Sequence, residues 1–405
     1  MQIFEVIGDI KDKNILLLQG PMGAFFNFLD KKFTSQGAKT FRIGFNAGDE
    51  FFSDTKHFTP YRDKPSEWEK FISDYLRSHA IDLIFLFGDC RYYQRLAIKI
   101  AKEMGVRVFI FEEGYIRPDF ITIEENGVND HSSLPRNREF YDALIYSEEA
   151  QCNYKNAKHI GSTYKIMALQ AAAYYVVARM FRFKYPYYEH HKNFSACLEL
   201  FYGVRNFLRK QLYSVQEAGL EHAFSDEYSK KYYFVALQTH DDFQIKEHSK
   251  YKNMEEFILE VLQSFAKYAP KDRYLVIKHH PMDRGKKDYK PFIKKHASEL
   301  GCSERVKVVH DVHLPTLLKH SIATITVNST VGISSLYHNI PTKCMGNALY
   351  DIEGMTSKHV SLDDFWENYE EVDSELFQKF RCYLIQHTQI NSTFYFWNYG
   401  RFSLK

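Results

Sequence analysis

The segment ILLLQGPMG, which runs from Ile15 to Gly23, decides the fold of the first part of the chain. Four consecutive apolar residues followed by a turn rich in glycine and proline are typical of a buried strand, and a helix is expected to follow through Phe33. Parallel strands need a long crossover between them, usually a helix, so a strand leading directly into a helix favours a parallel sheet.

The same alternation of short apolar runs and amphipathic stretches continues outward from this segment. In the first half of the chain, strands are predicted at residues 15–18, 39–45, 83–87 and 106–111, with helices at 66–78 and 92–104. In the second half, strands are predicted at residues 232–237, 274–277, 306–309 and 323–327, with helices at 254–268 and 314–320. The sequence therefore predicts an α/β protein with two Rossmann-like domains that face a central cleft.

Composition and motif spacing predict four segments. They are an N-terminal Rossmann-like domain at 1–160, a helical, aromatic and basic interdomain segment at 161–225, a C-terminal Rossmann-like domain at 226–360 and a helical tail at 361–405. Two interpretations of the interdomain segment stay open: a helical pair with snorkelling basic residues, or a patch that contacts a membrane surface.

Composition excludes several classes of protein. The 405 residues carry 53 basic and 51 acidic side chains, a net charge of +2, which argues against a nucleic-acid partner. No secretory signal is evident at residues 1–8, and no apolar run is long enough to span a bilayer. The six cysteines are scattered without a Cys-x-x-Cys pair, which favours reduced thiols in a cytoplasm over a disulfide framework or a zinc site.

Missing motifs narrow the chemistry further. The chain has no Walker A loop, no Gly-x-Gly-x-x-Gly after its first strand and no Asp-x-Asp pair. These absences weigh against triphosphate hydrolysis, dinucleotide redox chemistry and one metal-dependent class of glycosyltransferase. His310 and His313 are spaced like metal ligands but have no third partner nearby, so we expect them to be surface histidines.

Paired carboxylates follow the strand predicted at 106–111. Glu112 and Glu113 precede Gly114, and adjacent carboxylates raise each other's proton affinity, which suits a general base or acid. We expect the glycine to allow a substrate to approach closely. The alternative is an ordinary solvated acidic pair in a loop.

A histidine follows the strand predicted at 274–277. His280 stands between Lys278 and Pro281, and the proline fixes the loop that presents the imidazole. A histidine held there can donate a hydrogen bond to a phosphate or protonate a leaving group. A structural histidine is the alternative.

Polar residues also follow two other strands of the second half. Ser329 and Thr330 open a helix, where they are either caps or hydroxyl donors to a phosphate. Asp242 follows Gln238 in a predicted loop, where its carboxylate is either a turn residue, a nucleophile or an electrostatic partner.

Taken in order, these motifs resemble a known group of enzymes. The Glu112-Glu113-Gly114, His280-Pro281 and Ser329-Thr330 motifs resemble signatures of bacterial transferases with the GT-B fold that use CMP-activated sialic acid or Kdo. Four segments resemble the KpsS/LipB family of capsule polysaccharide proteins more closely, and this resemblance extends over about residues 13–355. The segments are 19–23, 88–91, 111–119 and 327–332.

This resemblance implies a retaining β-Kdo transferase. It would transfer Kdo from CMP-β-Kdo to a phosphatidylglycerol-type lipid, in its lyso or diacyl form, as the first unit of the poly-Kdo linker of a bacterial capsule. It also implies a cytoplasmic, peripheral protein at the inner face of the cytoplasmic membrane, with other capsule biosynthesis or export proteins as candidate partners. No cofactor or metal is expected, because a single phosphodiester carries only one charge.

The resemblance also implies roles for individual residues. In related β-Kdo transferases, the aspartate of a Gln-x-x-x-Asp element is the nucleophile, which corresponds to Asp242, with Asp241 as the adjacent alternative. Glu112 or Glu113 would be the base that activates the acceptor. The other implied contacts are donor-side residues Gln238, Lys278, His280, Ser329 and Thr330, and acceptor-side or membrane residues Arg117, Arg179, Arg182 and Lys184.

Two other functions are compatible with the sequence. One is an enzyme with the same fold that uses another nucleotide sugar, for instance a UDP-sugar transferase or epimerase. The other is a non-catalytic scaffold for capsule assembly or export, which would bind lipid-linked glycan through the aromatic and basic segment.

Overall fold

A computed structural model of the chain describes residues 3–54, 56–145, 157–188 and 196–396, the last range with side chains from residue 201 onward. The chain divides into two compact units. Unit 1 comprises Met1–Ser133, Glu148–Ala196 and Cys382–Lys405, whereas unit 2 comprises Leu134–Ser147 and Cys197–Arg381.

The strands of the described residues are all short, from two to seven residues. They are β1 (Asn14–Leu18), β2 (Lys39–Gly44), β3 (Phe58–Pro60), β4 (Leu83–Phe87), β5 (Arg107–Glu113), β6 (Ile121–Glu125), β7 (Tyr232–Ala236), β8 (Tyr274–Lys278), β9 (Val306–Val309), β10 (Thr324–Thr326), β11 (Thr342–Cys344) and β12 (Gln389–Ile390).

The α-helices vary from one turn to six. They are α1 (Ile3–Ile7), α2 (Phe25–Ser35), α3 (Ala47–Phe51), α4 (Trp68–Ser78), α5 (Tyr92–Glu103), α6 (Arg138–Asp142), α7 (Tyr164–Met180), α8 (Ala196–Gln216), α9 (Leu220–Ser225), α10 (Phe243–Glu247), α11 (Met254–Tyr268), α12 (Lys290–Glu299), α13 (Leu314–His320), α14 (Val331–Tyr337), α15 (Leu362–Phe365) and α16 (Ser374–Thr388).

Unit 1 is built on one seven-stranded sheet in the order β12-β6-β5-β4-β1-β2-β3. The strands from β5 to β3 pair in parallel, while β6 is antiparallel to both β5 and β12. The chain leaves the central strand β1 towards β2 on one side and returns as β4 on the other side. The switch point of this sheet therefore lies between β1 and β4, where open α/β sheets bind their ligands.

Alternate residues of β1 explain why the sheet of unit 1 is covered on both faces. Ile15 and Leu17 belong to one core cluster, and Leu16 and Leu18 belong to another. The first cluster is rich in phenylalanine rings. Phe25 lies edge-on to the rings of Phe111 and Phe394, with 5.3 Å and 5.0 Å between the ring centroids. Aromatic residues make up 16% of the chain, and part of this aromatic content is thus ordinary core.

Unit 2 contains an all-parallel, five-stranded sheet in the order β11-β10-β7-β8-β9. Its central strand β7 also contributes side chains to two hydrophobic core clusters. Tyr233 and Val235 lie in one cluster, and Phe234 lies in the other. The switch point is between β7 and β10. The residues that follow these two strands are therefore expected to meet.

Local chemistry accounts for one of the two helices whose bounds were predicted without error, the other being Leu314–His320. Helix α11 begins after Asn253, whose side chain accepts a hydrogen bond of 3.0 Å from the backbone N–H of Glu256. Its apolar residues recur at helical spacing, as at Phe257, Val261 and Phe265, and they are buried in the core. The predicted bounds, 254–268, are those of the structure.

The sequence predictions of fold class are confirmed: the protein is an α/β protein with two Rossmann-like, mostly parallel sheets. All eight predicted strands are present, with ends that differ by at most two residues. Four strands were not predicted, namely β3, β6, β11 and β12. They lie at or next to the sheet edges and have five residues or fewer.

The predicted interdomain segment is helical, and it is divided between the units. Helix α7 belongs to unit 1, whereas α8 lies almost entirely in unit 2. Across the described part of the chain, no helix combines the length and the apolar character needed to cross a membrane.

The cysteines only partly follow the prediction. Cys90, Cys302 and Cys344 carry free thiols, as expected. Cys382 is disulfide-bonded, so the prediction of reduced thiols is wrong at this position. Cys152 and Cys197 lie outside the residues whose side chains the structure describes.

Candidate functional site

The switch point of unit 2 is bridged by two amide side chains. Gln238, just after β7, donates a hydrogen bond of 3.0 Å from Nε2 to Oδ1 of Asn328, just after β10. In return the backbone N–H of Asn328 donates to Oε1 of Gln238 at 3.2 Å. Gln238 is buried, so both ends of its amide are held by the protein.

Asp242 is fixed by the same glutamine. Nε2 of Gln238 lies 3.1 Å from Oδ2 of Asp242, and Oδ1 accepts a hydrogen bond of 2.9 Å from the backbone N–H of Gln244. Asp242 therefore caps the short helix α10 instead of hanging in a free loop. The Gln-x-x-x-Asp spacing has a structural reason, because the glutamine orients the carboxylate.

His280 follows β8 and begins a short 3-10 turn, Pro281–Asp283. Its Nδ1 accepts a hydrogen bond of 3.2 Å from the backbone N–H of Met282. In a neutral imidazole the proton must then be on Nε2, which makes that nitrogen a donor. This arrangement suits the predicted contact with a phosphate.

Lys278, the last residue of β8, is committed to the backbone. Its Nζ donates to the carbonyl oxygens of His310 at 2.8 Å and of Val312 at 2.7 Å. Burial lowers the pKa of Lys278 to about 8. The ammonium thus holds the loop after β9 in place, and its predicted contact with a donor phosphate stays a prediction.

Ser329 and Thr330 precede α14, as predicted. Oγ of Ser329 accepts a hydrogen bond of 3.2 Å from the backbone N–H of Val331, whereas Thr330, the N-cap residue, makes no side-chain cap bond. Tyr350 packs against this turn, and its hydroxyl oxygen lies 2.2 Å from the position that a Cβ on Gly332 would occupy. The glycine of the motif is therefore needed for packing.

Two residues of this edge were missed by the sequence analysis. His240, on the loop after β7, donates from its backbone N–H to Oδ2 of Asp283 at 2.7 Å, and its Nδ1 lies 2.6 Å from Oδ1. A histidine two residues before Asp242 was a visible signal. Its partner was not, because Asp283 is 43 residues further along the chain.

His310 corrects another prediction. It is buried rather than on the surface, and its ring stacks on Tyr213 with 3.7 Å between ring centroids. Nδ1 of His310 lies 3.0 Å from Oε1 of Glu217. The residue has a structural role that links α8 to the loop after β9. His313 is exposed, as predicted.

Unit 1 holds the paired carboxylates at the end of β5. Glu112 is partly buried, and its Oε1 accepts a hydrogen bond of 3.0 Å from the backbone N–H of Glu113. Burial raises the pKa of Glu112 to about 7, and the neighbouring Glu113 charge adds to the effect. Glu112 lies beside Gly88, where a Cβ would come 3.6 Å from Oε2. Gly88 follows β4 at the switch point.

We expected Gly114 to allow a substrate to approach closely, but the chain itself occupies that space. A Cβ at this position would lie 2.1 Å from the carbonyl oxygen of Phe120 and 2.9 Å from that of Ile116. The space beside the glycine is filled by the chain itself. Arg117 reinforces this loop, since its Nε donates to the carbonyl oxygen of Gly114 at 3.1 Å.

The same loop is held by the end of the described chain. Oε1 of Gln389 accepts a hydrogen bond of 3.0 Å from the backbone N–H of Tyr115, and Nδ2 of Asn391 donates to the carbonyl oxygen of Asp119 at 2.7 Å. Both contacts lie within unit 1. They fix the segment that follows the paired carboxylates.

The predicted membrane residues lie at the end of α7 and just beyond it. Arg179 and Arg182 are exposed, whereas Lys184 is partly buried, with Nζ 3.8 Å from Oε2 of Glu50. Large apolar side chains are exposed beside them: Met180 by 65% and Phe183 by 74%. Cations and exposed apolar side chains thus lie close together in the sequence at the end of α7.

The structure thus brings together the residues predicted for the donor side at the carboxyl edge of the unit 2 sheet. The paired carboxylates and the basic residues belong to unit 1. Fold and site together define an α/β protein with two Rossmann-like units, each of which carries polar and acidic side chains at its switch point.

The chain belongs to the capsule polysaccharide biosynthesis protein family, whose model matches residues 82–395. It is 43% identical to the capsule polysaccharide export protein KpsS of Escherichia coli, over 95% of this chain and 98% of that protein. It is 38% identical to the capsule polysaccharide modification protein LipB of Neisseria meningitidis serogroup A, over 95% of this chain and 92% of that protein.

Among solved structures, the chain is similar to the β-Kdo 2,7 transferase KpsC of Thermosulfurimonas dismutans. The sequence identity is 16% and the TM-score is 0.40, with 91% of this chain and 89% of that chain covered.

Proposed function

We propose that this protein is a retaining, CMP-Kdo-dependent glycosyltransferase that starts the poly-Kdo linker of a bacterial capsule. Its donor is CMP-β-Kdo, and its acceptor is a phosphatidylglycerol-type lipid. Membership of the capsule polysaccharide biosynthesis family supports the pathway. The observation that carries the proposal is the hydrogen bond from Gln238 to Asp242, which presents a carboxylate at the switch point of unit 2.

In the first step of the proposed reaction, a carboxylate oxygen of Asp242 attacks the anomeric carbon of Kdo. The bond from that carbon to the phosphate oxygen breaks, and CMP leaves with the bonding electron pair. Nε2–H of His280 and the hydroxyls of Ser329 and Thr330 stabilise the departing phosphate. A Kdo ester of the enzyme remains.

In the second step, a hydroxyl of the lipid glycerol attacks the same carbon and releases the Asp242 carboxylate. Glu112 accepts the proton of that hydroxyl. A pKa of about 7 supports this choice over Glu113, because a base that titrates near neutral pH is both deprotonated and basic enough. Two inversions restore the β configuration.

The proposed chemistry uses no metal and no cofactor. The phosphodiester of the donor carries a single negative charge, and a second charge develops on CMP as it leaves. One imidazole and two hydroxyls supply three hydrogen bonds for this phosphate. A diphosphate donor would call for more cationic contacts, and Lys278 is committed to two carbonyl oxygens. A CMP-sugar is therefore a better donor for this site than a UDP-sugar.

We place the protein at the inner face of the cytoplasmic membrane, as a peripheral protein that can meet other capsule biosynthesis or export proteins. The exposed cations Arg179 and Arg182, next to exposed apolar side chains, support contact with an anionic lipid surface. Such a surface would also supply the acceptor.

A purified assay tests the proposal, with CMP-Kdo generated in situ and a fluorescent lyso-phosphatidylglycerol acceptor. The wild-type protein should transfer Kdo, whereas UDP-sugars should not serve as donors. Asp242→Asn should abolish transfer, and Asp241→Asn is the matched control that should retain it. Transfer by Asp242→Asn at the wild-type rate would overturn the assignment of the nucleophile.

Intact-protein mass spectrometry tests the covalent step. Glu112→Gln incubated with donor alone should gain the mass of one Kdo, and the double variant with Asp242→Asn should not. No transfer and no adduct from CMP-Kdo, together with normal capsule in cells that carry Asp242→Asn and Glu112→Gln, would favour a non-catalytic scaffold.

A further inference from the structure

His240 and Asp283 form a hydrogen-bonded pair, and neither residue has a role in the proposed reaction. Both lie at the carboxyl edge of the unit 2 sheet, because β7 and β8 are neighbouring parallel strands. The Asp283 carboxylate is almost fully buried, with 2% of its side chain exposed, whereas the His240 side chain is 34% exposed. A buried carboxylate therefore holds a ring whose other side faces solvent.

The pair fixes the orientation of the imidazole. Oδ1 of Asp283 lies 2.6 Å from Nδ1 of His240, and Oδ2 accepts the backbone N–H at 2.7 Å. Nδ1 thus donates to the carboxylate, and Nε2 is on the opposite side of the ring. Among the hydrogen bonds and ion pairs of the described residues, none uses Nε2 of His240.

Charge distinguishes His240 from the neighbouring His279. The hydrogen bond to Asp283 raises the pKa of His240, which stabilises the imidazolium. Burial lowers the pKa of His279 to about 4, which favours its neutral form. Of these two rings, His240 is the one whose surroundings favour the charged form.

Two cations of unit 2, at the end of β8 and just after it, are already used. Lys278 donates to two backbone carbonyl oxygens. Arg284 pairs with Asp311 and donates to Oδ1 of Asn206 at 3.2 Å. Their hydrogen bonds within the protein leave His240 and Lys286 as the positive groups that can face an anionic substrate here.

The loop geometry places His240 beside the proposed nucleophile. The backbone N–H of Asp242 donates to the carbonyl oxygen of Thr239 at 3.1 Å, which closes a turn that contains His240. Kdo is a 2-ulosonic acid, so its carboxylate is bonded directly to the anomeric carbon. A donor with that carbon at Asp242 carries its carboxylate to the same turn.

We propose that the imidazolium of His240, positioned by Asp283, binds the carboxylate on the anomeric carbon of the ulosonic acid donor. This inference rests on the proposed function and deepens it, because it assigns the group that recognises an acidic sugar. Neutral sugars lack this carboxylate. His240 would thus select ulosonic acids over the sugars of most nucleotide donors.

Calorimetric binding in an Asp242→Asn background tests this assignment, because the donor is then not consumed. Adding His240→Gln should weaken CMP-Kdo binding about tenfold, the range of a charged hydrogen bond. Binding of CMP, which has the phosphate but no sugar, should change less than about twofold. His296→Gln is the matched control, since His296 also pairs with a carboxylate, Glu299, on the distant helix α12.

The other possible results of this binding experiment would each overturn one part of the assignment. Equal losses for CMP and CMP-Kdo would assign His240 to the phosphate and overturn the carboxylate assignment. Unchanged CMP-Kdo binding would overturn the inference alone. If Asp242→Asn and the wild type both fail to bind CMP-Kdo, the proposed function falls, and this inference falls with it.

The pH dependence separates positioning by Asp283 from simple stabilisation of the fold. Asp283 and Asp241 raise the pKa of His240, and Lys286 lowers it. CMP-Kdo binding should weaken as pH rises through this pKa, and Asp283→Asn should move that loss to lower pH. A lower melting temperature with an unmoved pH dependence would overturn the role of Asp283.

Discussion

Nε2 of Gln238 lies 3.1 Å from Oδ2 of Asp242, and this contact joins the two ends of the Gln-x-x-x-Asp element. The same nitrogen reaches Asn328 on the other side of the switch point. The glutamine thus fixes the carboxylate relative to the sheet, because Nε2 of Gln238 donates to Asp242 and to Asn328.

Replacing Gln238 tests this positioning. Gln238→Glu keeps the shape but sets a carboxylate beside Asp242, so we expect kcat for Kdo transfer to fall by about 10²-fold, the scale of a misplaced reacting group. The matched control is Gln211→Glu on the exposed side of α8. An unchanged kcat, measured with the fluorescent acceptor, would contradict the role of this contact.

The pH profile tests Glu112. As a base it works when deprotonated, so the transfer rate should rise with pH through about 7 and be lost as pH falls below it. Glu112→Gln should remove this step and lower kcat by about 10²-fold to 10⁴-fold. Glu113→Gln should keep the step. A step that persists in Glu112→Gln would assign the base elsewhere.

Lys278→Met tests whether the ammonium is structural. The variant leaves the carbonyl oxygens of His310 and Val312 without their donor, at a cost of about 1–3 kcal/mol each in the free energy of unfolding. Urea denaturation should show the loss, and Lys294→Met on the surface of α12 should not. Unchanged stability together with weaker CMP binding would instead support the donor contact.

Gly114→Ala should destabilise unit 1. The new methyl group would collide with the carbonyl oxygen of Phe120, and the loop can relieve the collision only by moving, typically at about 1–3 kcal/mol. Gly203→Ala in α8 is the matched control, because nothing lies within 4 Å of its Cβ position. A melting temperature that is equal for both variants would contradict this account.

The exposed cations after α7 should contribute to membrane binding. Arg179→Ala with Arg182→Ala should weaken co-sedimentation with phosphatidylglycerol vesicles by about 2 kcal/mol, while CMP binding stays the same. Lys184 should contribute less, because Glu50 partly neutralises it. The charge-matched control is Lys294→Ala with Lys319→Ala in unit 2. If both double variants bind the vesicles equally well, Arg179 and Arg182 do not contribute specifically to membrane binding.

All but one of the strands that the sequence predicts lie inside a sheet, and the exception is the edge strand Val306–Val309. Leu83–Phe87 is apolar throughout because it lies inside the sheet of unit 1, and its bounds are predicted without error. The edge strand Gln389–Ile390 has two residues and pairs with a partner more than 260 residues earlier in the chain. A short pairing at that distance leaves no periodic pattern in the sequence.

The candidate site divides in the same way. The positions of His280, Ser329 and Thr330 after apolar strands could be predicted from the sequence, whereas Asp242 was singled out only by the resemblance of its Gln-x-x-x-Asp element.

The contact of Asp283 with His240 could not be predicted, since only the pairing of β7 and β8 creates it. Lys278 was placed correctly at the end of β8, but the sequence does not show that its ammonium donates to two backbone carbonyl oxygens, and its contact with a donor phosphate stays a prediction.

The anchoring of the loop after Glu113 by Gln389 and Asn391 has a consequence for the timing of folding. A ribosome releases the chain from its N-terminus, and domains generally fold as units during synthesis. Unit 2 can complete its sheet once Cys344 has emerged, whereas the sheet of unit 1 lacks its last strand until residue 390 follows. The half of the protein that is translated first is therefore finished last.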